Sequence, residues 1–126
     1  MIVASAQDAF ALFGPVFAGA PAEGEIVAIA YLDGERRLID TVVSPPAGAE
    51  HVDLPVRRIL EDALRLGAHG MVVAHNHPSG DPQPSADDVA STRELSETAA
   101  RLGIRLHDHL IFAGGEAVSL RSLGLL

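Results

Sequence analysis

The chain has 126 residues, a formal net charge of −8, nine basic residues that are all arginine, and no cysteine. That length makes one domain, residues 1–126, able to bury a core without staples, and the missing cysteine excludes disulfides and thiolate ligands. The acidic balance disfavours a surface that tracks nucleic-acid phosphates, although a local arginine patch is compatible with it.

The predicted elements alternate. Ser5 to Phe13 reads as a helix, with Ala6, Ala9, Phe10 and Phe13 on one stripe, Ser5 as a cap and Gly14-Pro15 as the stop. Glu25 to Leu32 is an apolar strand, Gly34 marks a turn, and Arg37 to Val43 is its partner. Pro45-Pro46-Ala47-Gly48 is a loop. Leu54 to Leu66 is a helix that buries Val56, Ile59, Leu60, Ala63 and Leu64, with Gly67 as its C-terminal stop. Gly70 to Ala74 is a short buried strand, and Ser85 to Leu102 is a helix stopped by Gly103. Ile104 to Ala113 and Glu116 to Leu120 are strands joined by a tight Gly114-Gly115 hairpin. The four phenylalanines and Tyr31 belong to the core. The sum is an α/β fold, a mixed β-sheet flanked by helices. No apolar stretch has transmembrane length, and the N-terminus lacks the basic-then-apolar order of a signal peptide, so a cytoplasmic protein is expected.

The stretch from His75 to Asp88 carries the chemistry. It holds His75, His77, Ser85 and Asp88 within fourteen residues, around a loop punctuated by Pro78, Gly80, Pro82 and Pro84. Strand side chains alternate faces, so His75 and His77 point the same way. Asp88 lies in the first turn of the following helix, three residues after Ser85. Two imidazoles and a carboxylate, with one position left for water, are the donor set of a catalytic zinc site. Each part also has a plainer reading. Two loop histidines are common, and Ser85 with Asp88, taken alone, reads better as an N-cap followed by a first-turn acid. The spacing of the whole is more specific than its parts.

That spacing, His-x-His-x7-Ser-x-x-Asp, resembles the JAMM signature of the MPN/JAB metallopeptidases. The wording His75-Asn76-His77-Pro78-Ser79-Gly80-Asp81-Pro82 resembles their bacterial RadC branch, as do Leu106-His107-Asp108-His109-Leu110-Ile111 and the ending Ser119 to Leu126. The resemblance implies a cytidine-deaminase-like α-β-α sandwich and one Zn2+ per chain, held by His75, His77 and Asp88. It implies a glutamate at the start of an early strand that works on the zinc-bound water. Glu25 fits by its spacing to Leu32-Asp33, and Glu23 is its rival two residues upstream. Ser85 would then donate to the oxyanion. Asp108 and His109 are either supporting partners of the ligands or a structural pair, and strand alternation sends His107 opposite to Asp108.

The activity so implied is hydrolysis of peptide or isopeptide bonds, with a protein or peptide as substrate. The alternative is a RadC-type factor associated with DNA repair that binds protein or DNA at lesions without a peptidase role. A non-catalytic module is disfavoured, because it would not require Glu25, His75, His77, Ser85 and Asp88 together. Nucleic-acid binding and homo-oligomerisation stay open, and no membrane partner is expected. Without lysine, the domain cannot carry an isopeptide-linked modifier on a lysine of its own. Two departures stand out. RadC-like proteins have a helical region before this domain, where this chain has only the residues before Glu25. The loop from Ser44 to Asp53 carries Pro45-Pro46 in place of a Gly-Thr-type turn, which bears on substrate preference.

Overall fold

The computed structural model describes residues 1–19, 24–44 and 54–126. In chain order it contains α1 (Ala6–Ala18), β1 (Val27–Leu32), β2 (Leu38–Val43), α2 (Val56–Leu66), β3 (Gly70–Asn76), α3 (Ala86–Arg101), β4 (Arg105–Ala113) and β5 (Glu116–Ser119). The strands form one sheet in the order β2-β1-β3-β4-β5. β3 and β4 run parallel, with α3 as their crossover, and the other neighbours are antiparallel. The architecture is the mixed sheet flanked by helices that the element pattern predicts.

The two central strands explain their own composition. β1 is buried along its whole length and β3 along all but its last residue. Both faces are covered, so these strands read as continuous apolar runs rather than alternating ones. On one face Val27, Ile29, Tyr31, Met71, Val73 and Leu106 pack against α2 and α3. On the other, Ala28, Ala30, Leu32, Val72, Ala74 and Leu110 pack against α1. The Tyr31 hydroxyl donates to the Ile59 carbonyl at 2.9 Å, tying α2 to the sheet. Gly67 ends α2 at φ 67, a left-handed position that favours glycine.

Leu64, expected on the buried face of α2, is exposed, and two further local expectations fail for tertiary reasons. The helix stop at Gly14-Pro15 does not occur, and α1 runs on to Ala18. An interior proline costs a helix about 3 kcal/mol or more. Val16 and Phe17 pack against the α1-side cluster, and Phe17 stacks on Phe112 with ring centroids 4.6 Å apart. Both are partly buried, and full burial of such side chains is worth about 1.5–3 kcal/mol each, so their packing works against the cost of the lost helical bond. The second failure is in β4. Met71 pairs with Leu106 but Val72 pairs with Asp108, so His107 is an extra residue in a bulge. His107 and Asp108 therefore line one cavity on the α1 side instead of facing opposite ways. Gly70 makes room for this, since a Cβ there would collide with the His107 ring.

Among the described residues no helix is long and apolar enough to cross a membrane.

Candidate metal centre

The end of β3, the loop after it and the first turn of α3 build one cluster. His75 lies two residues after Val73, on the face that α2 and α3 cover. The strand pairing runs one step past Asn76, where the His77 N–H donates to the Phe112 carbonyl at 2.9 Å. The loop then turns at Gly80, with φ 87, and reaches the N-cap of α3 at Ser85. There the Ser85 hydroxyl accepts from the Asp88 N–H at 3.0 Å, and the Asp88 carboxylate accepts from the Ser85 N–H at 2.9 Å. This reciprocal capping box satisfies two first-turn donors and fixes the carboxylate in place.

Three ligand atoms converge. The His75 and His77 Nε2 atoms are 3.1 Å apart, His77 Nε2 is 3.0 Å from Asp88 Oδ2, and His75 Nε2 is 3.4 Å from Asp88 Oδ1. His75 is buried, while His77 and Asp88 are partly open. Tetrahedral ligands about 2.0–2.1 Å from a zinc ion lie roughly 3.3 Å from one another, so these separations suit such an ion. Two imidazole nitrogens and one carboxylate oxygen also suit its taste for N and O donors.

Hydrogen-bond direction decides what these atoms can be. The His77 Nδ1 lies 2.9 Å from the Asp81 carbonyl, which can only accept. Nδ1 of His77 therefore carries a proton, and in the neutral ring Nε2 is bare. The Thr92 hydroxyl donates to the Asp88 carbonyl at 2.6 Å, and that bond uses its single proton. His109 Nδ1, 2.6 Å from Thr92 Oγ1, must then donate to it. His109 Nε2 is left as an acceptor, and His75 Nδ1 donates to it across 2.6 Å. In the neutral ring Nε2 of His75 is bare in turn. Two nitrogen lone pairs and a carboxylate face each other with no hydrogen of their own between them. Such a convergence is complementary to a cation.

The surroundings favour these charge states. His109 is fully buried, and burial first, then the facing His75, pushes its imidazole well below the ordinary value, so it stays neutral. Burial works to raise the Asp88 carboxyl. A positive charge on the facing His75 imidazole, with the Ser85 N–H and hydroxyl, outweighs that and holds it well below the usual carboxylate range, so positive charge at this spot stabilises the carboxylate.

Glu25 stands beside this cluster. It is buried and lies two residues before Val27, which pairs with His75. Continued by two residues, the register sets Glu25 across from His77 on the same face of the sheet. The Asn76 side chain fixes that approach, accepting from the Ile26 N–H at 2.8 Å and donating to the Gly24 carbonyl at 3.2 Å. The Glu25 carboxylate is outside the converging group of His75, His77 and Asp88.

Over residues 3–125 the sequence matches the RadC-like JAB domain. The chain belongs to the RadC-like JAB family. It is similar to a UPF0758 protein of Rhodobacter capsulatus, 39% identical over 98 residues, which cover 78% of this chain and 46% of the relative. A UPF0758 protein of Methanospirillum hungatei JF-1 is 42% identical over 95 residues, 75% of this chain and 42% of the relative. One from Bordetella avium is 50% identical over 70 residues, 56% of this chain and 31% of the relative. The chain thus spans less than half the length of these relatives, and their names state no activity.

Within this RadC-like JAB domain the site residues named from the sequence fall into two groups. His75, His77, Asp88 and Ser85 come together, and His109 joins them through His75. Asp108 does not. Its carboxylate accepts from the His109 and Arg121 N–H groups at 2.7 and 3.1 Å and from the Ser119 hydroxyl, and it lines the α1-side cavity. The bulge separates it from its neighbour. Glu23 and the Pro45-Pro46 loop lie outside the described residues. Thr92 was missed by the sequence reading. Its signal was faint: a threonine four residues after Asp88, on the same side of the helix.

Proposed function

We propose that this chain is a zinc-dependent hydrolase of peptide or isopeptide bonds that uses an activated water. What carries the reading is the convergence of the two bare Nε2 atoms with the Asp88 carboxylate, within 3.0–3.4 Å of one another. A bound Zn2+ supplies Lewis acidity and a nucleophile active near neutral pH. The chain's own residues do the rest. His75 and His77 are held by their Nδ1 protons, through His109 and the Asp81 carbonyl, so neither ring can turn its lone pair away. Glu25 takes a proton from the attacking water and returns it to the leaving amine. The Ser85 oxygen is engaged as the cap of α3, yet its proton remains available to the oxyanion that forms at the amide carbonyl.

Purified protein is assayed for zinc by elemental analysis and then against a panel of peptide and isopeptide-linked substrates. We expect one zinc per chain and hydrolysis that Glu25→Gln reduces by about 10²–10⁴ without loss of metal. Ser85→Ala should also keep the metal and lose roughly 10²–10³ in rate. Protein that takes up no zinc when zinc is supplied overturns the reading. A Glu25→Gln variant that loses its zinc makes Glu25 a ligand, and one that keeps full activity makes another group the base.

A further inference from the structure

The other face of the sheet holds a second arrangement that hydrolysis does not use. At the His107 bulge a cavity of about 190 Å³ opens beside the first turn of α1. Arg36, Arg105 and Arg121 line it together with His107, Asp108 and Ala6. Each guanidinium has five N–H donors. Arg36 spends its Nε–H on the Val3 carbonyl at 2.8 Å, and Arg121 spends its own on the His107 carbonyl at 2.6 Å. Among the described residues none of the three forms an ion pair with a carboxylate. Asp108, the acid in this wall, has its oxygens taken by two backbone N–H groups and Ser119.

Two further sources of donors lie there. α1 has thirteen residues, and the Ser5 hydroxyl takes the N–H of Asp8, which leaves the Ala6 and Gln7 N–H groups without an intrahelical partner. The positive end of the helix thus opens at the cavity wall. His107 is 9% exposed, and its Nδ1 is buried without a hydrogen-bond partner among the described residues. Unpaired buried nitrogens of this kind are uncommon and call for a partner. Burial and the same three arginines push the His107 imidazole down to about 4, so the ring is neutral near pH 7, with one nitrogen able to donate.

We propose that this cavity binds the phosphate group of a small phosphorylated ligand, with the three guanidiniums and the α1 N-terminus as its donors. Planar guanidinium forks match phosphate oxygens bidentately. The small volume and the net charge of −8 over the chain favour a compact anion over a nucleic-acid polymer, whose phosphates the acidic surface repels.

Chelator-treated protein, freed of metal so that the opposite face cannot hold phosphate through an ion, is titrated calorimetrically at low ionic strength. The probes are inorganic phosphate, 5′-AMP, acetate and a 5′-phosphorylated oligonucleotide. Phosphate and 5′-AMP should bind saturably and acetate at least tenfold more weakly. Arg36→Gly and Arg105→Gln should each weaken phosphate by tenfold or more. Arg36 sits at φ 63, where glycine is at ease, so that exchange adds no backbone strain. Arg57→Gln, at an exposed pair with Glu61 on α2, should change nothing. Amide and imidazole spectra of the parent protein locate the ligand without any variant, through shifts at Ala6, Gln7 and His107. No saturable phosphate binding, equal binding by the arginine variants, or shifts confined to other residues overturns the proposal. An oligonucleotide that binds more than tenfold tighter than 5′-AMP overturns the small-ligand assignment in favour of nucleic acid.

Discussion

Helices α1 and α3 start with nearly the same four residues, Ser5-Ala6-Gln7-Asp8 and Ser85-Ala86-Asp87-Asp88, and the two starts face opposite chemistry. In both, the serine hydroxyl accepts from the N–H three residues on, at 3.1 and 3.0 Å. In α1 the Asp8 carboxylate then reaches back to the Ala4 N–H at 3.0 Å, beside a cavity lined with guanidiniums. In α3 the Asp88 carboxylate reaches back to Ser85 at 2.9 Å and onward to His77 at 3.0 Å. A serine and an aspartate at this spacing therefore encode a cap and nothing more. The neighbouring strand decides the rest: the end of β3 supplies two bare imidazole nitrogens, whereas the bulge of β4 supplies an imidazole among arginines.

The largest expected effect separates the two aspartates. Asn can still accept from a backbone N–H, so Asp88→Asn and Asp8→Asn should both keep their helix starts. Asp88→Asn removes a charged ligand, and its zinc affinity should fall by more than the ~100-fold that loss of an outer partner can cost. Asp8→Asn should leave zinc affinity unchanged. Equilibrium dialysis against a competing chelator reads both. An Asp88→Asn variant within about tenfold of the parent, below even the range for outer partners, would make the α3 start a cap only, like its α1 counterpart.

Thr92 tests whether hydrogen-bond direction, and not proximity, makes the α3 side a cation site. Thr92→Val keeps the shape and removes the hydroxyl that obliges His109 to donate from Nδ1. His109 can then turn its proton towards His75, which would place a hydrogen on the His75 Nε2. Zinc affinity should drop about 10–100-fold, and Thr92→Ser should restore it. Nitrogen-15 imidazole spectra of the metal-free protein give a readout that simple loss of packing would not mimic: protonated Nδ1 on His75, His77 and His109 in the parent, and a change at His75 and His109 in Thr92→Val. Unchanged tautomers, or weak binding that serine fails to rescue, would break the relay.

Much of this was legible where local chemistry rules. Gly67 and the Gly114-Gly115 hairpin adopt positive φ as their positions demand. His75, His77 and Asp88 could be read because one strand end, one short loop and one helix start carry all three. Reading failed where distant residues decide. Phe17 helps to carry α1 past Pro15 because it stacks on Phe112, on the sheet face that α1 covers. The His107 bulge depends on Gly70, a strand away. Thr92 looks like any helix-face threonine until β4 sets His109 against it, 17 positions later in the chain. Asp108 and His109 adjoin in sequence, yet the sheet sends one to each side.

The smallest effect compares the serines themselves. Ser5→Ala and Ser85→Ala each remove the acceptor for one first-turn N–H, a loss of about 1 kcal/mol. For a domain of this size that is a fall in Tm of roughly 3–5 °C. In α3 the Asp88 carboxylate would still accept the Ser85 backbone N–H, a bond that needs no serine side chain. The ligand should thus stay in place, and zinc affinity should match the parent's within error. Similar falls in Tm for the two variants, measured on metal-free protein, would show that the serines do equal structural work and that the two helix starts differ only in what faces them. A markedly larger fall for Ser85→Ala, with weakened zinc, would mean that the hydroxyl helps to hold the Asp88 carboxylate, and that the α3 cap is part of the metal centre.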